Sequence, residues 1–187
     1  DRVKKALTGF EVVEFSGIEP NPRVSSVNAA AKLAREQKAD FIVAVGGGSV
    51  IDASKAIAAA VKYEGDAWDL VKDGSLIKDA LPLFSVLTLA ATGSEYDAPG
   101  VISNMQTNEK QAISSPLLFP KASFCDPSVS VSVPAWHTAA GAADIMSHTF
   151  EQYLVSEGND VSDGFCETIL KTVIKNAPIC IKDPTNL

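Results

Sequence analysis

The sequence predicts an α/β protein built on a parallel sheet, followed by the start of an all-helical part. Three observations predict it. Two short apolar runs, Phe41–Val45 and Leu83–Leu89, each lead directly into a turn of small residues. The segments Val24–Gln37 and Val50–Ala60 carry apolar residues at helical spacing. After Ser132 no strand-like run interrupts two long helical patterns. Strands alternating with helices imply right-handed crossovers and a parallel sheet. The 187 residues suit one large domain, or one domain and part of another, and 46% hydrophobic content can fill a core.

In chain order, Asp1–Leu7 reads as the end of a helix with Gly9 as its stop. Phe10–Phe15 reads as a short strand, and Gly17–Pro22 as a proline-rich loop. Val27, Ala30, Ala31 and Ala34 mark one helix face and lead into the strand Phe41–Val45. Tyr63–Asp79 is polar and irregular and is expected to be a surface loop around a short helix. Val101–Ser103 and Ala122–Phe124 are further short strands, with Lys110 on a turn between them. Ser132 is the expected cap of a helix with Pro134 in its first turn. That helix runs from Ala135 to Val155, and a second spans Val161–Ile181 after the break Ser156–Asp160. A domain boundary is expected near Val131, dividing residues 1–130 from 131–187.

The stretch richest in chemistry is Gly46-Gly47-Gly48-Ser49 between the strand at 41–45 and the Ala-rich helix. Glycine lets the chain turn sharply and lets main-chain N–H groups approach an anion with no Cβ in between. The helix start adds unpaired donors and a partial positive charge. Ser49 fits as N-cap, and Asp52 three residues on completes a Ser-x-x-Asp capping pattern or accepts from a ribose or amide of a nucleotide. Glycine turns also join strands to helices with no ligand, so the motif leaves both readings open. Thr88–Ser94 forms a second hydroxyl-rich turn, and turns after neighbouring parallel strands converge on one crevice. Lys110 is either a solvated turn charge or a point charge reaching a phosphate or ribose.

On the helix after Pro134, Asp144 and His148 stand four residues apart on one face, where a carboxylate and an imidazole can share an ion. Mixed oxygen and nitrogen donors suit Fe(II), Zn(II) or Mn(II); the plainer alternative is a hydrogen-bonded helix pair. His137 lies on that face but about 10 Å along the axis, beyond sharing the ion. Glu151 could orient the imidazole or stand solvated.

Composition excludes some classes. With 16 Lys and Arg against 23 Asp and Glu the net charge is −7, which disfavours nucleic acid. The three cysteines, Cys125, Cys166 and Cys180, cannot all pair and form no Cys-x-x-Cys clip, so buried thiols in a reducing cytosol are expected. No apolar run approaches a membrane span, and Asp1–Lys5 is no secretory signal, so a cytoplasmic protein is expected.

Taken together, Gly17–Pro22, Gly46–Asp52, Leu87–Glu95, Val101–Asn104 and Ala143–Glu151 resemble, in order, the iron-containing (group III) alcohol dehydrogenase family, in particular its NADPH-dependent butanol dehydrogenase branch. The resemblance implies a dinucleotide-binding domain followed by the start of a helical metal-binding domain. It implies NADP or NAD held by Gly47, Gly48 and Ser49 at the pyrophosphate, with Asp52, Thr88, Thr92, Ser94 and Lys110 around the ribose and nicotinamide. It implies Asp144 and His148 as two of four ligands to Fe(II), or Zn(II), which polarises the oxygen of a primary alcohol or aldehyde during hydride transfer. A small-molecule substrate is the expected partner, with assembly into a homo-oligomer left open. The family's remaining ligands are histidines on later helices and its first strand precedes Asp1, so the chain is expected to be an internal portion, with an incomplete metal site and no activity of its own. A glycerol-type polyol dehydrogenase and a non-catalytic nucleotide-binding module are the alternatives.

Overall fold

The structure, a computed structural model, describes residues 2–186. Helix α1 (Arg2–Ala6) precedes a long extended segment, and Gly9 at φ 97 turns the chain away from it. Then come α2 (Val24–Glu36), β1 (Ile42–Gly46), α3 (Gly48–Ala60), α4 (Ala67–Lys72) and β2 (Leu83–Leu87). The hairpin strands β3 (Gly100–Asn104) and β4 (Glu109–Ile113) follow, then β5 (Ala122–Phe124) and the helices α5 (Ala135–Tyr153) and α6 (Asp160–Lys182).

The expected parallel sheet is present with order β1-β2-β5, in which Ala44 lies opposite Ser85 and Ser85 opposite Ser123. Ser85 is buried among apolar neighbours, so its hydroxyl needs a partner. It donates to Ser123 Oγ at 2.7 Å, and Ser123 donates onward to the Glu95 carbonyl at 2.6 Å, tying the turn after β2 to the sheet.

Helix α3 is the centre of packing. Ala53, Ala56, Ile57, Ala58, Ala59 and Ala60 are all buried, and the small side chains let α2, α4 and the β3-β4 hairpin close on it from several sides. A helix apolar all round is one covered all round. Its C-terminal end is held by Arg35, which donates to the Ala60 carbonyl at 2.6 Å and the Tyr63 carbonyl at 2.9 Å.

Several expectations are corrected. Phe10–Phe15 forms no strand; it runs extended without a ladder partner, its apolar side chains are largely exposed, and Phe10 meets Phe41 edge-on at 5.7 Å. Period and β-propensity report a surface suited to pairing, not the presence of a partner. The segment 63–79 does carry a short helix but is no surface loop. Trp68, Leu70, Val71 and Ile77 are buried in the main core, and Asp66 caps α4 by accepting from the Trp68 N–H at 2.8 Å. Val101–Ser103 does not join the parallel sheet; β3 pairs antiparallel with β4, and Lys110 lies on β4 opposite Ser103 rather than on a turn. Ser132 caps nothing, because α5 begins at Ala135 behind Pro134; it also ends at Tyr153, two residues short of Val155.

The two long helices pack on each other, and α6 is capped by Asn159, whose Oδ1 accepts from the Val161 and Ser162 N–H groups. Their outer faces leave Trp136, Phe165, Ile169 and Ile174 exposed. Helix α5 reaches the α/β part at Gly141, which is buried; a Cβ there would lie 2.5 Å from the Ala90 carbonyl oxygen. No helix of the described residues is long and apolar enough to cross a membrane.

Candidate functional site

The strand-turn-helix at Gly46–Ser49 forms as predicted, but its cap differs. Gly47 is the N-cap in extended geometry, and its carbonyl accepts from the Val50 and Ile51 N–H groups at 3.0 and 3.2 Å. The N–H groups of Gly48 and Ser49, the first two helical residues, are therefore the donors that the helix itself cannot pair. The expected Ser-x-x-Asp capping box does not form. Ser49 Oγ instead accepts from the Asn21 N–H at 3.3 Å, while Asp52 turns away to other partners.

Glycine is required at Gly48 by a close approach. A Cβ there would lie 2.4 Å from Thr92 Oγ1, so the second turn closes directly over the helix start. Thr88 continues the β2 end, its N–H donating to the Gly46 carbonyl at 3.1 Å. Thr92 Oγ1 accepts from the Ser94 N–H at 3.3 Å, across Gly93 at φ 75. The structure thus brings Gly47, Gly48, Ser49, Thr88 and Thr92 to one place at the carboxyl ends of β1 and β2.

Lys110 reaches the same helix start from β4. Its Nζ donates to Asn21 Oδ1 at 2.6 Å, and Asn21 in turn donates its backbone N–H to Ser49. Asn21 has φ 55, a left-handed conformation in which asparagine is enriched and which concentrates at functional sites. The loop is further pinned where the Ser103 N–H donates to the Pro22 carbonyl at 2.8 Å. Sequence reasoning did not single out Asn21, although an Asn between two prolines is a turn signal.

Asp52 and Ser94 sit deeper. Ser94 is 3% exposed and donates to Asp52 Oδ1 at 2.6 Å, while Asp52 Oδ2 accepts from the Val101 N–H at 2.9 Å. Burial pushes the Asp52 carboxyl above the ordinary aspartate value, opposed by those two hydrogen bonds and by Lys55. Lys55, also missed from sequence, is 0% exposed; the signal available was a single cation inside an otherwise uncharged run, Ala53–Ala60.

On α5, Asp144 Oδ2 and His148 Nε2 stand 3.7 Å apart and His148 Nδ1 stands 3.7 Å from Glu151 Oε2. Two ligands about 2.1 Å from a tetrahedral ion are separated by about 3.4 Å, so the pair is spaced to share one. Both side chains are accessible, His148 at 54% and Asp144 at 42%. Among the described residues no group of three or more potential ligands converges, so the pair fits as two ligands and no more. His137 is exposed and packs edge-on against Trp136 at 5.2 Å. At about 100° per residue, Asp144 and His148 lie within about 60° of Gly141 around the axis. The helix face that touches the Ala90 carbonyl is therefore the face carrying both donors.

Known proteins share this fold. The chain matches the family model for iron-containing alcohol dehydrogenase over residues 1–127, and that for the C-terminal region of the same family over residues 138–187. It is 53% identical over 179 residues to a probable NADH-dependent butanol dehydrogenase of Bacillus subtilis, covering 95% of this chain and 46% of that protein. It is 44% identical to the NADPH-dependent aldehyde reductase YqhD of Escherichia coli, covering 100% of this chain and 49% of that protein. The structure superposes on NADH-dependent butanol dehydrogenase A of Thermotoga maritima with a TM-score of 0.93 at 41% identity, covering 98% of this chain and 46% of that one. The chain thus spans about half the length of these relatives. It belongs to the iron-containing alcohol dehydrogenase family.

Proposed function

We propose that residues 1–130 hold the dinucleotide, and residues 131–187 begin the metal-binding part, of a cytosolic, metal-dependent oxidoreductase acting on primary alcohols and aldehydes such as butanol and butanal. The observation that supports this reading is the contact of Gly141 with the Ala90 carbonyl, because it brings α5, the helix of Asp144 and His148, to the turn that also supplies Thr88 and Thr92.

Each residue has a part that its chemistry supports. The free N–H groups of Gly48 and Ser49 and the α3 dipole suit a pyrophosphate, and Gly47 admits it without a side chain in the way. Lys110 adds a positive charge beside them, held in place by Asn21. Thr88 and Thr92 in the second turn, and Asp52 with its hydrogen-bonded partner Ser94, carry hydroxyl and carboxylate groups that suit ribose hydroxyls and the nicotinamide carboxamide. Asp144 and His148 would hold Fe(II), or Zn(II), which when bound would supply a Lewis acid for an alcohol or aldehyde oxygen, and the dinucleotide would supply hydride chemistry. The named relatives use NADH in two cases and NADPH in the third, so both dinucleotides are carried forward as candidates.

The test is a pair of titrations of the purified chain. NADH or NADPH fluorescence should saturate, and Fe(II) or Zn(II) should bind in a way that His148→Ala abolishes while nucleotide binding persists. Failure to bind either dinucleotide sinks the cradle reading. Unchanged metal binding in His148→Ala removes that residue from the metal site.

A further inference from the structure

The polar group that the proposed chemistry leaves unused is Lys55, the largest fully buried side chain of the protein. An isolated buried ammonium is prohibitively costly, so its partners define its role. Its three protons meet Ser94 Oγ at 2.9 Å, Asp97 Oδ1 at 2.6 Å and the Pro99 carbonyl at 2.7 Å. An ammonium has donors only, so at Ser94 the serine oxygen accepts. The single Ser94 proton is then left for Asp52 Oδ1, 2.6 Å away.

We infer that Lys55 is a positioning residue: by orienting the Ser94 hydroxyl it presents Asp52 as an ionised acceptor of fixed direction between the cradle and the second turn. Asp52 accepts from Ser94 and from the Val101 N–H, two of the roughly four lone-pair positions a carboxylate offers. The others remain for a ligand donor such as a ribose hydroxyl or a carboxamide N–H; only the identity of that ligand rests on the nucleotide reading above. The charged groups around Asp52 are Lys55 on the same helix and Asp97 on the loop before β3, while β3 itself contributes only the Val101 amide. Without Lys55 the Ser94 hydroxyl is free to rotate away, and the half-buried carboxylate loses both its cation and its oriented donor.

A role limited to stapling the 94–99 loop onto α3 predicts a lower melting temperature and, for Asp52, only the small shift that the loss of a nearby charge gives. Positioning predicts more. In Lys55→Met, which keeps the length without the charge, the carbon-13 NMR titration of Asp52 should move up by about one pH unit or more. NADH affinity should fall at least threefold at a pH below the variant's own Asp52 titration and recover in part above it. Ser94→Ala keeps Lys55 and Asp97 paired and should shift Asp52 the same way by less; it decides the question if Lys55→Met does not fold. An Asp52 titration equal to the unsubstituted chain's in the folded variants overturns the inference. If the unsubstituted chain binds neither NADH nor NADPH, the nucleotide reading falls while the NMR titration still judges Lys55.

Discussion

The cradle around α3 and the donor pair on α5 are held in opposite ways. Around α3 the polar side-chain contacts are long-range: Lys55 meets Ser94 39 residues on, Asp52 meets the Val101 amide 49 residues on, and Lys110 meets Asn21 across 89 residues. On α5, Asp144 and His148 are brought together by helix pitch alone, four residues apart and exposed to solvent. The first arrangement is fixed by contacts from several elements; the second takes its spacing from the helix alone, and α5 approaches the α/β part at Gly141. Long-range polar networks need a whole fold to form, whereas an i,i+4 pair needs only a helix.

The two tryptophans test that contrast most strongly. Trp68 is 7% exposed in the α/β core and Trp136 is 74% exposed on α5. Trp68→Ala should cost about 3–5 kcal/mol in urea unfolding, and Trp136→Ala should stay within about 0.5 kcal/mol. Equal costs would mean that α5 is buried as deeply as α4.

Gly141→Ala comes next. Helix propensity alone would stabilise it by about 1 kcal/mol, but the added Cβ would lie 2.5 Å from the backbone oxygen of Ala90, which cannot swing aside. Overpacking should win, giving a net loss of about 1–2 kcal/mol and faster proteolysis between β5 and α5. A stabilised variant would show that the two regions do not touch there.

Gly48→Ala should act on binding more than on stability. Its Cβ would press on the Thr92 side chain at 2.4 Å, so NADH affinity should fall about tenfold, or about 1.4 kcal/mol. Thr92→Ala in the same chain should restore part of the loss. Unchanged affinity in Gly48→Ala would remove the second turn from the cradle.

The smallest effect lies between α5 and α6. Lys171 donates to Glu167 at 2.8 Å and holds its carboxyl below the ordinary glutamate value of 4.5, with Tyr153 also donating at 3.3 Å. A lowered folded value means the stabilisation is present above the unfolded value and is lost as pH falls through the folded one. Glu167→Gln should therefore melt slightly lower than the parent near neutral pH and match it in acid below that folded value, as followed by helical circular dichroism. A gap that widens in acid would reverse the assigned sign.

Much of this was legible in the residues. The strand-glycine-helix unit follows from local chemistry, since five apolar residues, three glycines and an Ala-rich run leave the backbone few alternatives. The Asp144 and His148 spacing is legible for the same reason, helix geometry being local. Phe10–Phe15 misled because a strand is made by its neighbour, and no ladder forms on it here. Tyr63–Asp79 misled because its scattered charges, Asp69 among them, stay on the exposed side of α4 or outside it, while Trp68 and Leu70 are drawn into the core. Lys55 and Asn21 escaped because their partners lie tens of residues away.

The sequence by itself determined the strand and helix segments of the α/β part, the glycine turn at 46–48, the two long C-terminal helices and the i,i+4 spacing of Asp144 and His148 on one of them, because each depends on residues within a few positions of one another. Only the tertiary structure decided that Asp52 answers to Ser94 and Val101 instead of capping its helix. It also decided that Lys110 meets Asn21 beside the start of α3, and that α5 approaches the turn after β2 at Gly141. Burial strips these polar groups of water, and each must then take whatever partner the packed chain brings within reach.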